Sequence, residues 1–171
     1  VLRPINIKNG RLKCKMKIDP WKHKEKYLKW REKTREGIPD ISKENSDLIL
    51  KYLGDMEKGL NVAKGSAKGP RSFQRLFTLK EKMIFFAKRF RDNFGLNKIT
   101  DINEEQLLTF FSDMRTGVIK KCGGGIYKSI ETQGKAFKAF WHWHQKLSKK
   151  NGIEIVDITA DLDSRSEKPD W

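Results

Sequence analysis

A mainly α-helical domain preceded by a β-hairpin and a short helix is the fold class this sequence predicts, and three observations predict it. Apolar residues recur at three- and four-residue spacing in four separate stretches between residues 45 and 147. Those stretches close on Gly59, Gly95, Gly117 and Asn151-Gly152, the residues that end helices most readily. Residues 5–18 alternate instead, with Ile5, Ile7, Leu12, Cys14, Met16 and Ile18 placed either side of Asn9-Gly10. Asn-Gly supplies the two positive φ angles of a tight two-residue turn, so this segment reads as a hairpin.

Each element has its own reason. One face of the hairpin is apolar, and the other carries Lys8, Arg11, Lys13, Lys15 and Lys17. An edge ribbon kept soluble by lysines accounts for that face as well as DNA contact does. Asp19-Pro20 offers a cap and a first-turn proline for a short helix through Trp21, Leu28 and Arg31, ended by Gly37-Ile38-Pro39. The next helix starts near Ser42 or Asn45 and places Leu48, Ile49, Tyr52, Leu53 and Met56 on one stripe. A small, basic loop from Asn61 to Gly69 leads to a helix from about Pro70 to Phe94, with Leu76, Leu79, Met83, Phe86 and Phe90 in its stripe. Asn103 and Gln106 form a capping-box pair for a helix presenting Leu107, Phe110, Phe111 and Met114. After the Lys-Lys-Cys-Gly-Gly-Gly loop at 120–125 comes the last helix, with Ile130, Phe137, Phe140, Trp141, His144 and Leu147. The organisation read from this pattern is an arm-like hairpin plus helix over 1–40, a helical domain over 41–152, and an acidic linker over 153–171.

Composition narrows the function. Lys and Arg number 37 against 22 Asp and Glu, a net +15, while 37% hydrophobic residues with ten Phe and five Trp argue for a packed core. Such an excess repels itself in a compact state, and a polyanionic partner relieves it. The excess is +8 over residues 1–40 and +11 over 41–152, whereas 153–171 carries −4. Cys14 and Cys122 stand far apart without metal-ligand spacing and read as free thiols of a reducing cytoplasm. No apolar run approaches the roughly 20 residues of a membrane span, and no signal peptide is recognisable. A start at Val1 fits removal of an initiator Met or a piece of a longer chain.

A catalytic constellation is not found. His142 and His144 are two residues apart, so on a helix their rings diverge by about 200° and cannot share a metal. The carboxylates occupy capping and surface positions, and no histidine is placed by motif to activate Cys122. Gly123-Gly124-Gly125 lacks the Gly-Lys-Ser/Thr of a nucleotide loop, although a nucleic-acid phosphate at the helix start behind it is plausible. No cofactor and no small-molecule substrate are expected.

The nucleic-acid signal has position as well as sign. Lys64, Ser66, Lys68, Arg71, Ser72 and Arg75 surround one helix start, and Lys120, Lys121, Tyr127, Lys128 and Lys135 surround another. Helix N-termini offer unpaired N–H groups and partial positive charge, to which basic and hydroxyl side chains add. A solvated helix face explains any one of these lysines; the two clusters together point to a nucleic-acid partner, with double-stranded DNA the expected one and RNA left open.

From about Ile41 to Asp163 the arrangement resembles the N-terminal core-binding (SAM-like) four-helix domain of tyrosine recombinases, the phage- and archaeal-type integrases. The pieces that carry the resemblance are the short helix Leu48–Met56 ending at Gly59 and then Arg75-Leu76-Phe77 with Leu79 and Phe86-Ala87-Lys88. Ile99-Thr100-Asp101-Ile102 and the aromatic run Lys135–Trp143 follow, and Ile158–Trp171 is similar to the connector into a catalytic domain. The resemblance implies a domain that clamps a recombination site and self-associates on it. Mapped by position, it nominates Arg71, Ser72, Arg75, Lys80, Lys121, Tyr127, Lys128 and Lys135. The family's cleavage chemistry needs a His-x-x-Arg signature and a nucleophilic Tyr. His23, His142 and His144 are instead followed at that spacing by Lys26, Gln145 and Leu147, and Tyr27, Tyr52 and Tyr127 lack the surroundings. The expectation is a non-catalytic DNA-binding domain whose longer parent would be the recombinase. A protein-interaction adaptor with a basic surface, an RNA-binding protein, and an enzyme with an unrecognised site are the alternatives.

Overall fold

Helix-forming stripes and caps do produce a helical structure. A computed structural model of the chain describes residues 19–60 and 69–162, and the expected hairpin lies outside the described residues, as does most of the loop before the long helix. Among the described residues there are five α-helices and no strand: α1 His23–Lys33, α2 Lys43–Lys58, α3 Phe73–Phe94, α4 Glu104–Thr116 and α5 Ile130–Lys150. A single 3-10 turn, Ile99–Asp101, precedes α4.

Local chemistry explains most boundaries. Ser42 caps α2 by accepting from the Asn45 N–H at 3.2 Å, and Ser72 caps α3 by accepting from the Arg75 N–H at 3.3 Å. Asn103 and Gln106 satisfy one another's backbone donors at the head of α4, a reciprocal capping box. Gly59 ends α2 at φ 88, and a side chain there would strike the returning chain, with Gly69 C only 2.8 Å from a built Cβ. That close approach lets the Arg71 N–H reach Met56 O at 3.1 Å, which sets the start of α3 against the end of α2.

Three boundaries differ from the sequence expectation. The first helix begins at His23, not at Pro20: Asp19–Lys22 closes as a turn, with the Lys22 N–H bonded to Asp19 O at 3.1 Å and Lys22 at φ 51. The Asp19 carboxylate then accepts from His23 Nδ1 at 3.0 Å and from the Lys24 N–H at 3.4 Å. The long helix starts three residues after Pro70, where Ser72 supplies the cap. The last helix starts at Ile130, so four residues separate it from the triple glycine.

Helix α3 forms the axis of the core. Leu76, Leu79, Met83, Phe86, Ala87 and Phe90 are buried along it, and it touches α1, α2 and α5. Phe86 is fully buried among Phe90, Phe110, Phe111 and Phe137, with ring centroids 5.2–6.2 Å apart except to Phe110 at 6.3 Å. Tyr52 of α2 meets Phe140 and Trp143 of α5 at 5.3 and 5.0 Å. Asn45 is buried with purpose, since its Oδ1 accepts from the Ile99 N–H at 2.8 Å and ties the 3-10 turn to α2.

The packed body is larger than the sequence reading of 41–152. Tyr27 of α1 is completely buried and Trp30 packs on the core, so α1 belongs to the body and not to a separate arm. Residues 153–162 likewise are not a free linker. Ile158 and Leu162 join the core, while Trp141 Nε1 donates to Val156 O at 3.0 Å and Gln145 Nε2 to Ile155 O at 2.9 Å. Asp157 completes the seam, accepting from His142 Nε2 at 3.1 Å and from Thr159 Oγ1 at 2.6 Å.

Burial alone would raise the Asp157 pKa, but the hydrogen bonds from Thr159 and His142 hold it below the ordinary carboxylate range. A depressed folded-state pKa means docking of this segment is supported above that range and weakens as pH falls through the folded value. Asp157→Asn is expected to raise amide exchange across residues 155–162 while leaving α3 protected. The wild-type chain is expected to show the same local loosening below about pH 4. Hydrogen-exchange mass spectrometry checks both; unchanged protection in the variant would sink the seam's proposed role.

Candidate nucleic-acid interface

The charge excess is concentrated on particular elements. Helix α3 carries six basic and two acidic residues, and α5 five and one. Helix α2 carries three basic and four acidic, and α4 one and three. The connection 117–129 holds Lys120, Lys121 and Lys128 and no carboxylate.

Seven-residue spacing on α3 gathers the charge into a line. Arg75, Lys82 and Arg89 fall within about 20° of one face, roughly 10.5 Å apart along the axis. Arg75 is exposed at the capped start of the helix, whose first turn contains no acidic residue. Lys82 Nζ donates to Thr132 O in the first turn of α5 at 2.8 Å. Burial and the neighbouring Arg75 guanidinium together hold its ammonium below the ordinary lysine pKa. Arg89 donates to Lys120 O at 3.1 Å and to the Tyr127 hydroxyl at 2.9 Å, with its guanidinium 5.7 Å from the Phe85 ring. The line of cations on α3 therefore runs directly into the connection that bears Lys120 and Lys121.

That connection has a defined shape. The Lys121 N–H donates to Gly125 O at 2.9 Å and the Gly124 N–H to Lys121 O at 2.8 Å, with Gly124 at φ 80. The loop is closed on itself, so its glycines serve the turn and do not face a helix start. Lys120, Lys121 and Lys128 are exposed, and Lys121 Nζ lies 5.8 Å from the Tyr127 ring.

The candidate residues fall into distinct groups. Arg71, Ser72 and Arg75 sit together at the start of α3, and the Tyr52 phenol, pushed up to about 12 by burial, feels both guanidinium groups in the opposite sense. Lys120, Lys121, Tyr127 and Lys128 sit together at the loop, with Tyr127 half-buried and its hydroxyl engaged by Arg89. Lys135 is exposed but ion-paired with Glu131, which also places a carboxylate in the first turn of α5 and makes that helix start a poor anion site. Lys64, Ser66 and Lys68, with Lys8, Arg11, Lys13, Lys15 and Lys17, lie outside the described residues.

Lys80 points elsewhere. It is only 9% exposed, on the side of α3 that faces α1, with its ammonium 4.0 Å from the Phe77 ring centroid and 5.2 Å from that of Trp30. Two residues along a helix turn a side chain by about 200°, which separates Lys80 from the Lys82 face. Sequence reasoning passed over Lys82 and Arg89, and their seven-residue register with Arg75 is the signal that finds them.

Burial holds the Lys80 ammonium below the ordinary lysine value of 10.5. The unfolded chain therefore binds this proton more tightly, and stability rises as pH climbs through the folded-state pKa toward 10.5. Lys80→Met is expected to change unfolding free energy by less than about 1 kcal/mol at neutral pH, because lost cation–π attraction offsets relieved desolvation. It is also expected to flatten the alkaline rise and leave nucleic-acid affinity unchanged. Urea melts at neutral and alkaline pH and a binding titration test this, and a loss of affinity would return Lys80 to the interface.

Among the described residues, no three His, Cys, Asp or Glu side chains gather around a common point, and no helix is long and apolar enough to cross a membrane. No family model, no curated protein and no solved structure matches this chain.

Proposed function

We propose that this chain binds duplex DNA through the face formed by α3 and the 120–128 loop, as the core-binding part of an integrase-type recombinase, and that it cleaves no strand itself. The observation that carries the reading is the Arg75–Lys82–Arg89 line on α3. It places like charges within Coulombic reach of one another and continues into a lysine-bearing loop without a carboxylate. A polyanion with regularly spaced charges relieves that repulsion. The integrase part of the reading rests on the sequence resemblance carried by Leu48–Met56, Arg75-Leu76-Phe77, Ile99–Ile102 and Lys135–Trp143.

Fluorescence anisotropy with a labelled duplex, repeated across salt concentration, tests the proposal. Affinity is expected to fall linearly on a log–log plot, with a slope near −0.9 for each phosphate engaged. A flat salt dependence would overturn the reading. Tighter binding to an acidic polypeptide than to DNA would favour an adaptor role.

A further inference from the structure

A groove of about 420 Å³ lies between the Asp19–Lys22 turn and the start of α3, on residues that the duplex-binding face does not use apart from Ser72. Its walls include Trp21, His23, Lys24, Ser72, Phe73 and Gln74. The size falls in the roughly 300–1,000 Å³ range of small-ligand sites. Trp21 is 68% exposed, a large apolar ring left in water at the mouth of a groove, while Trp141 and Trp143 are buried. Lys24 Nζ stands 5.6 Å from the Phe73 ring, and the His23 ring packs edge-on against Phe77 at 5.8 Å. Asp19 is the one carboxylate among the lining residues, and it is already engaged by His23 and the Lys24 N–H. Lys22 and Lys24 are exposed beside it, and Gln74 presents an exposed amide that can donate and accept.

An open aromatic face, a flanking cation and an amide in one concave site match the chemistry of a nucleobase attached to its phosphate. We propose that the groove seats one unpaired nucleotide of a nucleic-acid strand, its base stacked on Trp21 and its phosphate toward Lys24. This rests on the nucleic-acid reading above and adds to it a specific requirement for an unstacked base. An acidic peptide would use the lysines but has no use for an open indole, and an apolar helix would leave the cations unmatched.

The test uses the full chain and three labelled probes: a blunt duplex, the same duplex with a short oligo-thymidine overhang, and the same overhang made abasic. The wild-type chain is expected to bind the thymidine overhang more tightly than the blunt duplex, and the abasic overhang no better than the blunt one. Trp21→Ala is expected to remove that gain, roughly 5- to 100-fold, while blunt-duplex affinity and its salt slope stay unchanged. Trp21→Phe, which keeps a smaller ring, is expected to retain part of the gain. Trp21 is largely exposed and is not part of the hydrophobic core, so circular dichroism should report intact folding in both variants. Equal affinity of the wild-type chain for blunt and overhang probes overturns this inference alone, as does a gain that survives in Trp21→Ala or with the abasic strand. Binding to none of the probes overturns the duplex reading as well.

Discussion

Phe86→Ala is expected to lower the unfolding free energy by about 3 to 5 kcal/mol, a large fraction of the stability of a domain this size. The side chain is fully buried, and it is the point where α3, α4 and α5 share one aromatic cluster. Truncation removes the transfer free energy of the ring and leaves a cavity walled by Phe90, Phe110, Phe111 and Phe137, stiff rings that collapse poorly into empty space. Edge-to-face contacts with Phe137 and Phe110 add roughly 0.5 to 1.5 kcal/mol each beyond area. Against a total stability of about 5–15 kcal/mol, such a loss brings the domain close to unfolding, with a melting temperature lower by roughly 6 to 20 °C. Phe85→Ala should cost less, because that ring is only half-buried and rests against Tyr127 at the surface. Urea denaturation followed by fluorescence of the buried Trp141 and Trp143 checks the order, and equal losses at 85 and 86 would contradict the placement of the core.

The parts of this fold that sequence shows well are those decided within one helical turn. Ser42, Asn103 with Gln106, Gly59, Gly95 and Gly117 end or begin helices through their own side chains or their freedom at positive φ, and each stands where its local pattern puts it. The stripe from Leu76 to Phe90 is legible for the same reason, since spacing alone decides which face is apolar. Less legible are features settled by distant partners. Helix α1 contributes one fully buried residue, Tyr27, and its other positions look like those of a solvated arm. The acidic residues of 153–162 mask the apolar positions Ile155, Ile158 and Leu162, and the backbone there is held by side chains from Trp141 and Gln145 that no local pattern announces. Lys80 reads as one more surface lysine until Trp30, fifty residues earlier in the chain, is found beneath its ammonium. The site divides in the same way. Arg75 is visible because it belongs to a helix start, whereas Lys82 and Arg89 sit mid-helix and acquire meaning only through their hydrogen bonds to α5 and the 120–128 loop.

Reversing charge at both ends of that line, with Arg75→Glu and Lys121→Glu together, is expected to weaken duplex binding by roughly 10- to 100-fold at low salt and to make the log–log salt slope shallower by about 2. The two positions suit the test because neither supports the fold. Arg75 is exposed, and its side chain makes no hydrogen bond among the described residues, while Lys121 only overlies the Tyr127 ring through its ammonium. Lys82 and Arg89 would confuse it, since Lys82 holds Thr132 O and Arg89 holds both Lys120 O and Tyr127. Net charge alone affects any polyelectrolyte interaction, so a matched pair is needed in which the total changes equally at positions off the face. Lys33→Glu with Lys150→Glu serves, at the exposed ends of α1 and α5. Long-range attraction to DNA is screened within roughly 8 to 10 Å at ordinary ionic strength, so charges away from the bound phosphates contribute little there. The face is therefore expected to lose far more affinity than the matched pair, with the difference persisting at 150 mM salt. Equal losses from the two double variants would mean that the chain is held by its diffuse charge, and that the line on α3 is not where DNA lies.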